Sequence, residues 1–132
     1  MPDQSLDDWL PAFPRWLGVT LTACQPHVVA GEMAVLDHHA NRNGVMHGGA
    51  IMALADSLAG TAAALNLSEG QATTTIESKT NFLRPLAIGE TATARCEPIH
   101  LGRRTTIWQT TILRPDGKPA AIVTQTQMTL AP

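Results

Sequence analysis

Asp56 lies nine residues beyond His47 of a His47-Gly48-Gly49 triplet, within the most apolar stretch of the chain, and this pairing suits acyl transfer. A carboxylate can attack a carbonyl carbon directly or take a proton from the water that does so. On an apolar helix an ionised carboxylate is costly unless it is hydrogen-bonded, paired or used. Taken alone, Asp56 reads more readily as a satisfied core or interface residue, and it is the neighbouring residues that favour chemistry. The triplet falls where a helix would begin, and a first helical turn has free backbone N–H groups and the positive end of the dipole. Glycine lets a ligand come close to that backbone. Such a start suits a carbonyl oxygen that gains negative charge during the reaction. Taken alone, a Gly-Gly turn is just as often an ordinary way into a helix.

Spacing adds a constraint. Gly48 and Asp56 are eight residues apart, or ~12 Å along a helix at about 1.5 Å per residue. Both cannot touch one reacting carbon, whose partners must lie within about 3–3.5 Å. If they serve one site, that site joins two subunits whose central helices run antiparallel. A twofold dimer would then hold two equivalent sites.

Other chemistries fit less well. His38-His39 has only Asp37 as a neighbouring ligand type, which is not a metal-binding spacing, so no metal site is expected. Ser57 and Ser78 lack a Gly-x-Ser-x-Gly elbow. No glycine-rich run resembles a phosphate loop.

The elements that must position these residues are legible in outline. Ser5 caps a short helix running to about Leu17, with Asp8 in a capping-box position, and Pro11 and Pro14 shorten or break it. Strand-like segments follow at Gly18–Cys24 and Val28–Leu36, then a His-, Asn- and Gly-rich loop over Asp37–His47. From Gly48 to about Leu67 the chain is rich in Ala, Leu and Met, has no Pro and ends at Ser-Glu-Gly, which predicts the central helix. Its apolar residues point all round the axis, so it is expected to be buried on every side. Ala72–Leu83, Glu90–His100, Arg104–Arg114 and Ala120–Leu130 are rich in Thr, Ile and Val and read as strands. In the last, Val123, Gln125, Gln127 and Thr129 alternate with Ile122, Thr124, Thr126, Met128 and Leu130. Pro115-Asp116-Gly117-Lys118 supplies the turn before it. One apolar helix and a mainly antiparallel sheet make an α+β layer arrangement over residues 1–132, read as a single domain.

Composition bounds the partners. The 132 residues are 44% hydrophobic and 15% charged, which describes a globular chain. A net charge of −2, with no Tyr, two Phe and three Trp, argues against a nucleic-acid partner. The N-terminus has neither the basic start nor the apolar run of a secretion signal. The stretch Ala50–Leu67 is interrupted by Asp56, Ser57, Thr61 and Asn66, so no membrane span is expected. Cys24 and Cys96 match no zinc or disulfide pattern and suit a reducing cytoplasm.

The block Asn41…Gly44-Val45-Met46-His47-Gly48-Gly49…Leu54-Ala55-Asp56 resembles the motif of the hotdog-fold thioesterases, in particular the PaaI-like and hydroxybenzoyl-CoA group. Asn81-Phe82-Leu83-Arg84-Pro85 and Pro98-Ile99-His100-Leu101-Gly102-Arg103 are also similar, so the likeness covers about Trp16 to Leu130. It implies an acyl-CoA hydrolase in which a curved antiparallel sheet wraps a central helix, with sites at a dimer interface and dimers paired into tetramers. By position, Asp56 matches the family carboxylate and Gly48 the glycine whose N–H polarises the thioester carbonyl. Asn41 matches an assisting amide and Thr75 a hydroxyl that orients the carboxylate or water. His47 falls near the thioester or the departing thiolate. Gly49 adjoins the oxyanion position, and Phe82 stands where some aryl-acyl relatives have His. Arg84 and Arg103 are candidates to meet the phosphates of coenzyme A, which enters as part of the substrate; no separate cofactor is implied.

Two other readings share this fold. An enoyl-thioester hydratase would pair His47 with Asp56, but the surroundings do not resemble the His-Phe-Pro-Gly pattern of those enzymes. A non-catalytic acyl-CoA-binding module would have no need of the acid. Hydration without thiol release favours the first, and tight binding without turnover the second.

Overall fold

The computed structural model describes residues 5–132; Met1–Gln4, which open the stretch read for a secretion signal, lie outside the described residues. Proline decides the N-terminal geometry. The expected helix from Ser5 to Leu17 divides at Pro11 into a 3-10 turn, Leu6–Trp9, and a short helix α1, Ala12–Leu17. Ser5 caps the turn by accepting from the Asp7 N–H, but Asp8 makes no return contact. Strands β1 (Thr20–Gln25) and β2 (Val28–Ala34) form a hairpin and lead through the loop to helix α2, Gly48–Leu65. Four strands follow: β3 (Ala72–Phe82), β4 (Thr91–Leu101), β5 (Thr105–Leu113) and β6 (Pro119–Leu130).

All six strands join one antiparallel sheet in the order β1-β2-β4-β5-β6-β3, with α2 against its inner face. This is the hotdog arrangement that the resemblance implied. The turn at Pro115–Lys118 forms as expected: Asp116 Oδ1 accepts from the Lys118 N–H at 3.0 Å, and Gly117 takes the left-handed conformation the turn needs. Strand β3 leaves sequence order to pair with β6, which makes it a sheet edge with one unpaired side.

Ile51, Leu54, Ala55, Leu58, Ala59, Ala62 and Ala63 of α2 are buried against Val29, Met33, Trp108, Ile112 and Val123 of the sheet. The helix departs from expectation on its other side. It ends two residues early, and Gly49, Met52, Asp56 and Ala64 are exposed in the single chain. A sheet covers one side of a cylinder; the alanines and glycines that made α2 seem apolar all round leave its second face largely exposed in the single chain. By length and hydropathy α2 would pass for a membrane span, but its large apolar side chains fill the core.

Strand β6 assigns its two faces against simple hydropathy. Val123, Gln125 and Gln127 are buried toward the helix, whereas Met128 and Leu130 are exposed and Ile122 is half-buried. Two glutamines therefore stand inside the molecule.

Candidate active site

The carboxylate of Asp56 is held through one oxygen. Oδ1 accepts from the Thr75 hydroxyl at 2.9 Å and from the Gln125 side-chain amide at 2.8 Å. Oδ2 has no partner among the described residues. Thr75 reaches this position because β3 bulges between Thr75 and Glu77, which shifts the strand's register against β6. The sequence singled out Asp56 and Thr75, and the fold brings them together. It did not single out Gln125, Gln127 or Thr73; the available signal was the pair Gln125 and Gln127 on the strand face that also carries Ala121 and Val123.

Beside Asp56 is a largely apolar cleft of ≈ 400 Å³. Trp9, Pro11, Phe13 and Pro14 form one wall, and the small residues Ala53, Gly60 and Ala64 of α2 form the other. The N-terminal segment contributes this wall because it is anchored at two points. Asp7 Oδ1 accepts from the Leu21 N–H at 2.9 Å, and buried His39 bonds through Nε2 to the Leu17 carbonyl at 2.9 Å.

The helix start is a separate place. Gly48, Asn41, Phe82, Leu83, Arg84 and Pro85 line a second cleft of ≈ 350 Å³ that does not include Asp56. The Gly48 N–H finds no acceptor among the described residues. The next donor along is already used, because His47 Nδ1 accepts from the Gly49 N–H at 2.8 Å and so caps α2. The two glycines differ in how tightly they are confined: Gly49 is held against the capping His47 ring, whereas Gly48 faces only the exposed ring of Phe82. A Cβ at Gly49 would lie 2.9 Å from His47 Nδ1, and one at Gly48 would lie 3.1 Å from the Phe82 ring. Asn41 Oδ1 accepts from the Asn43 and Val45 N–H groups, which closes the loop and leaves the Asn41 amide N–H groups without an acceptor among the described residues.

The arginines divide between two regions. Arg84 lines the Gly48 cleft and donates from Nη1 to the Pro119 carbonyl at 2.8 Å. Arg103 lies apart, in a polar cleft with Asn66, Ser68 and Gln71 beyond the C-terminal end of α2. Among the described residues no group of three His, Cys, Asp or Glu side chains is placed to hold a metal.

Residues 43–121, more than half of the chain, match the family described as the thioesterase superfamily. The chain belongs to that superfamily. This thioesterase is 36% identical over 103 residues to a putative esterase of Haemophilus influenzae, covering 77% of the chain and 73% of the relative. It superposes on a mutant of the thioesterase PA1618 of Pseudomonas aeruginosa with a TM-score of 0.85 at 30% identity, covering 90% of this chain and 86% of that one. A Streptococcus mutans protein crystallised with acetyl-CoA shares the fold at a TM-score of 0.84 and 23% identity, with coverage of 92% and 94%. The enzyme is thus a thioester hydrolase with a hotdog fold.

Proposed function

We propose that this thioesterase hydrolyses an acyl-CoA carrying a small aryl or medium-chain acyl group, at a site assembled across a twofold dimer. The observation that carries the reading is the one-sided anchoring of Asp56: two donors hold Oδ1, and Oδ2 is free for chemistry. The Gly48 N–H of the partner protomer polarises the thioester carbonyl, and the Asn41 amide assists as a second donor. Asp56 Oδ2 either attacks the carbonyl carbon or takes a proton from the attacking water. Both routes expel the coenzyme A thiolate and yield the free acid. Single turnover in H₂¹⁸O probes this: label in Asp56 arises only by the covalent route, through water attack on the Asp56 carbonyl of the anhydride.

Three features favour assembly between subunits. Gly48 and Asp56 lie in different clefts of one chain, α2 has an exposed face around Asp56, and β3 offers an unpaired edge with Ile76 exposed. Pairing such edges and antiparallel helices covers this surface and brings Gly48 of one protomer to Asp56 of the other. Tetramers of paired dimers follow the family pattern. The cleft walled by Trp9 and Phe13 suits an apolar acyl group, and the bound acetyl-CoA of the Streptococcus mutans protein supports coenzyme A as the thiol carrier. Arg84 and Arg103 are assigned to the coenzyme A phosphates. Two free cysteines suit a cytoplasmic location.

The test is Asp56→Asn in an assay of thiol release over a panel of acetyl-, hexanoyl-, benzoyl- and phenylacetyl-CoA. The variant is expected to lose at least ~100-fold in kcat while keeping its oligomeric state. Near-parental turnover would overturn the assignment.

A further inference from the structure

Gln125 and Gln127 are buried completely, and neither is needed to fill an apolar core. Their hydrogen bonds run in one direction. A carboxylate only accepts, so the single hydroxyl hydrogen of Thr75 must point at Asp56. The Thr75 oxygen can then only accept, which requires Gln127 to present its NH₂ group there, at 2.6 Å. Gln127 Oε1 consequently faces the other way and accepts from the Thr73 hydroxyl at 3.0 Å. Thr73 thus donates to Gln127, Gln127 to Thr75, and Thr75 to Asp56. Turning either amide round would set an oxygen against an oxygen.

Gln125 adds a branch. Its amide nitrogen serves Asp56 Oδ1 at 2.8 Å and Thr75 Oγ1 at 3.2 Å. Its own Oε1 is buried with no partner among the described residues. An unpaired buried acceptor is costly, and an apolar side chain of similar volume would avoid that cost. Placing a donor beside the carboxylate accounts for keeping glutamine there. The strands enforce the arrangement, since Thr75 is the cross-strand partner of Gln127 and the bulge after Thr75 separates it from the following register.

The geometry points to Gln125 and Gln127 as positioning residues that lock the donor direction of a Thr73–Gln127–Thr75–Asp56 chain, so that Oδ1 stays engaged and only Oδ2 meets the substrate. This rests on Asp56 being the reacting carboxylate, as proposed above. Neither glutamine touches the substrate; each acts through Asp56 or Thr75, so the effect belongs in kcat and not in KM.

Four substitutions, two of them also combined, test it on the full chain, with the panel acyl-CoA that is turned over fastest. Thr73 is remote from the reacting atoms; Thr73→Val removes its hydrogen bond and Thr73→Ser keeps it. Thr73→Val should lower kcat about 5–10-fold with KM within about twofold, and Thr73→Ser should restore it. Gln127→Met, which removes the donor at similar volume, should lower kcat about 10–100-fold. In a Thr75→Val background it should add almost nothing, because both changes break one chain. Full additivity, an effect confined to KM, or a Thr73→Val enzyme with parental kcat would overturn the inference. If Gln127→Met does not fold, the Thr73 pair decides alone. Should Asp56→Asn retain turnover, the site assignment itself fails; if it is inactive while Thr73→Val and Gln127→Met turn over normally, only the chain does.

Discussion

Gly48 permits a substitution that removes one donor and little else. It is the first residue of α2, where proline is well tolerated because its missing N–H has no helical partner. His47 already has the extended backbone, φ −62° and ψ 136°, that a residue before proline adopts. The nearest contact for a new ring is the exposed, movable end of Phe82. Gly48→Pro is therefore expected to cost about 100–1,000-fold in kcat with a melting temperature within a few degrees of the parent; parental kcat would remove the N–H from the mechanism. Cys96 gives a prediction about stability. Burial pushes its thiol up from 9.0 to about 11, against a smaller opposing effect of the Thr110 hydrogen bond. The folded state holds this proton more tightly than the unfolded chain does. The stabilisation is full below pH 9 and is lost as pH rises toward 11, at about 1.4 kcal/mol per pH unit. Denaturant titrations across that range should show the decline, and Cys96→Ala should flatten it.

At the scale of elements, the N-terminal segment is held by few polar contacts among the described residues but forms one wall of the cleft beside Asp56. His39 is the main pin. Its Nδ1 accepts from the Leu36 N–H at 3.0 Å, and its Nε2 donates to the Leu17 carbonyl, tying α1 to the loop before α2. His39→Ala breaks both bonds inside the protein and should cost about 1–3 kcal/mol in urea unfolding. Because Phe13 sits on α1 and walls the cleft, KM should rise more for benzoyl- or hexanoyl-CoA than for acetyl-CoA. Equal changes for all three would separate this wall from acyl binding. This role was not legible in the sequence: His38-His39 drew attention as a weak metal pair, whereas His39 is a buried tether. Nor was the inward face of β6, where hydropathy favours the Ile122–Met128 side and hydrogen bonding to Thr75 and Asp56 selects the glutamines.

For the whole molecule the decisive question is whether one site draws on two chains. Co-expressing Asp56→Asn with Gly48→Pro in equal amounts answers it. Each homodimer carries two defective sites. A mixed dimer concentrates both defects in one site and leaves the other intact. Random pairing should restore about a quarter of the parental activity. No recovery in a mixture shown by mass to contain mixed dimers would mean that both groups act within one protomer, contrary to their separation along α2 and their placement in different clefts.

The order of elements, the central helix, the strand segments and the pairing of a helix-start glycine with a downstream acid all follow from local patterns: residue period, turn chemistry, proline and glycine placement. Those signals act over a few residues, and one chain contains them. The tertiary structure decided what local pattern cannot, because it depends on groups far apart in sequence. It set β3 at the sheet edge, left one face of α2 uncovered, turned Gln125 and Gln127 inward, and brought Thr75 across 19 positions to Asp56. Helix periodicity reports which residues are apolar, and only packing shows how much of the helix the sheet can cover. That is why Asp56, expected in a dry interior, lies at an open face in the single chain.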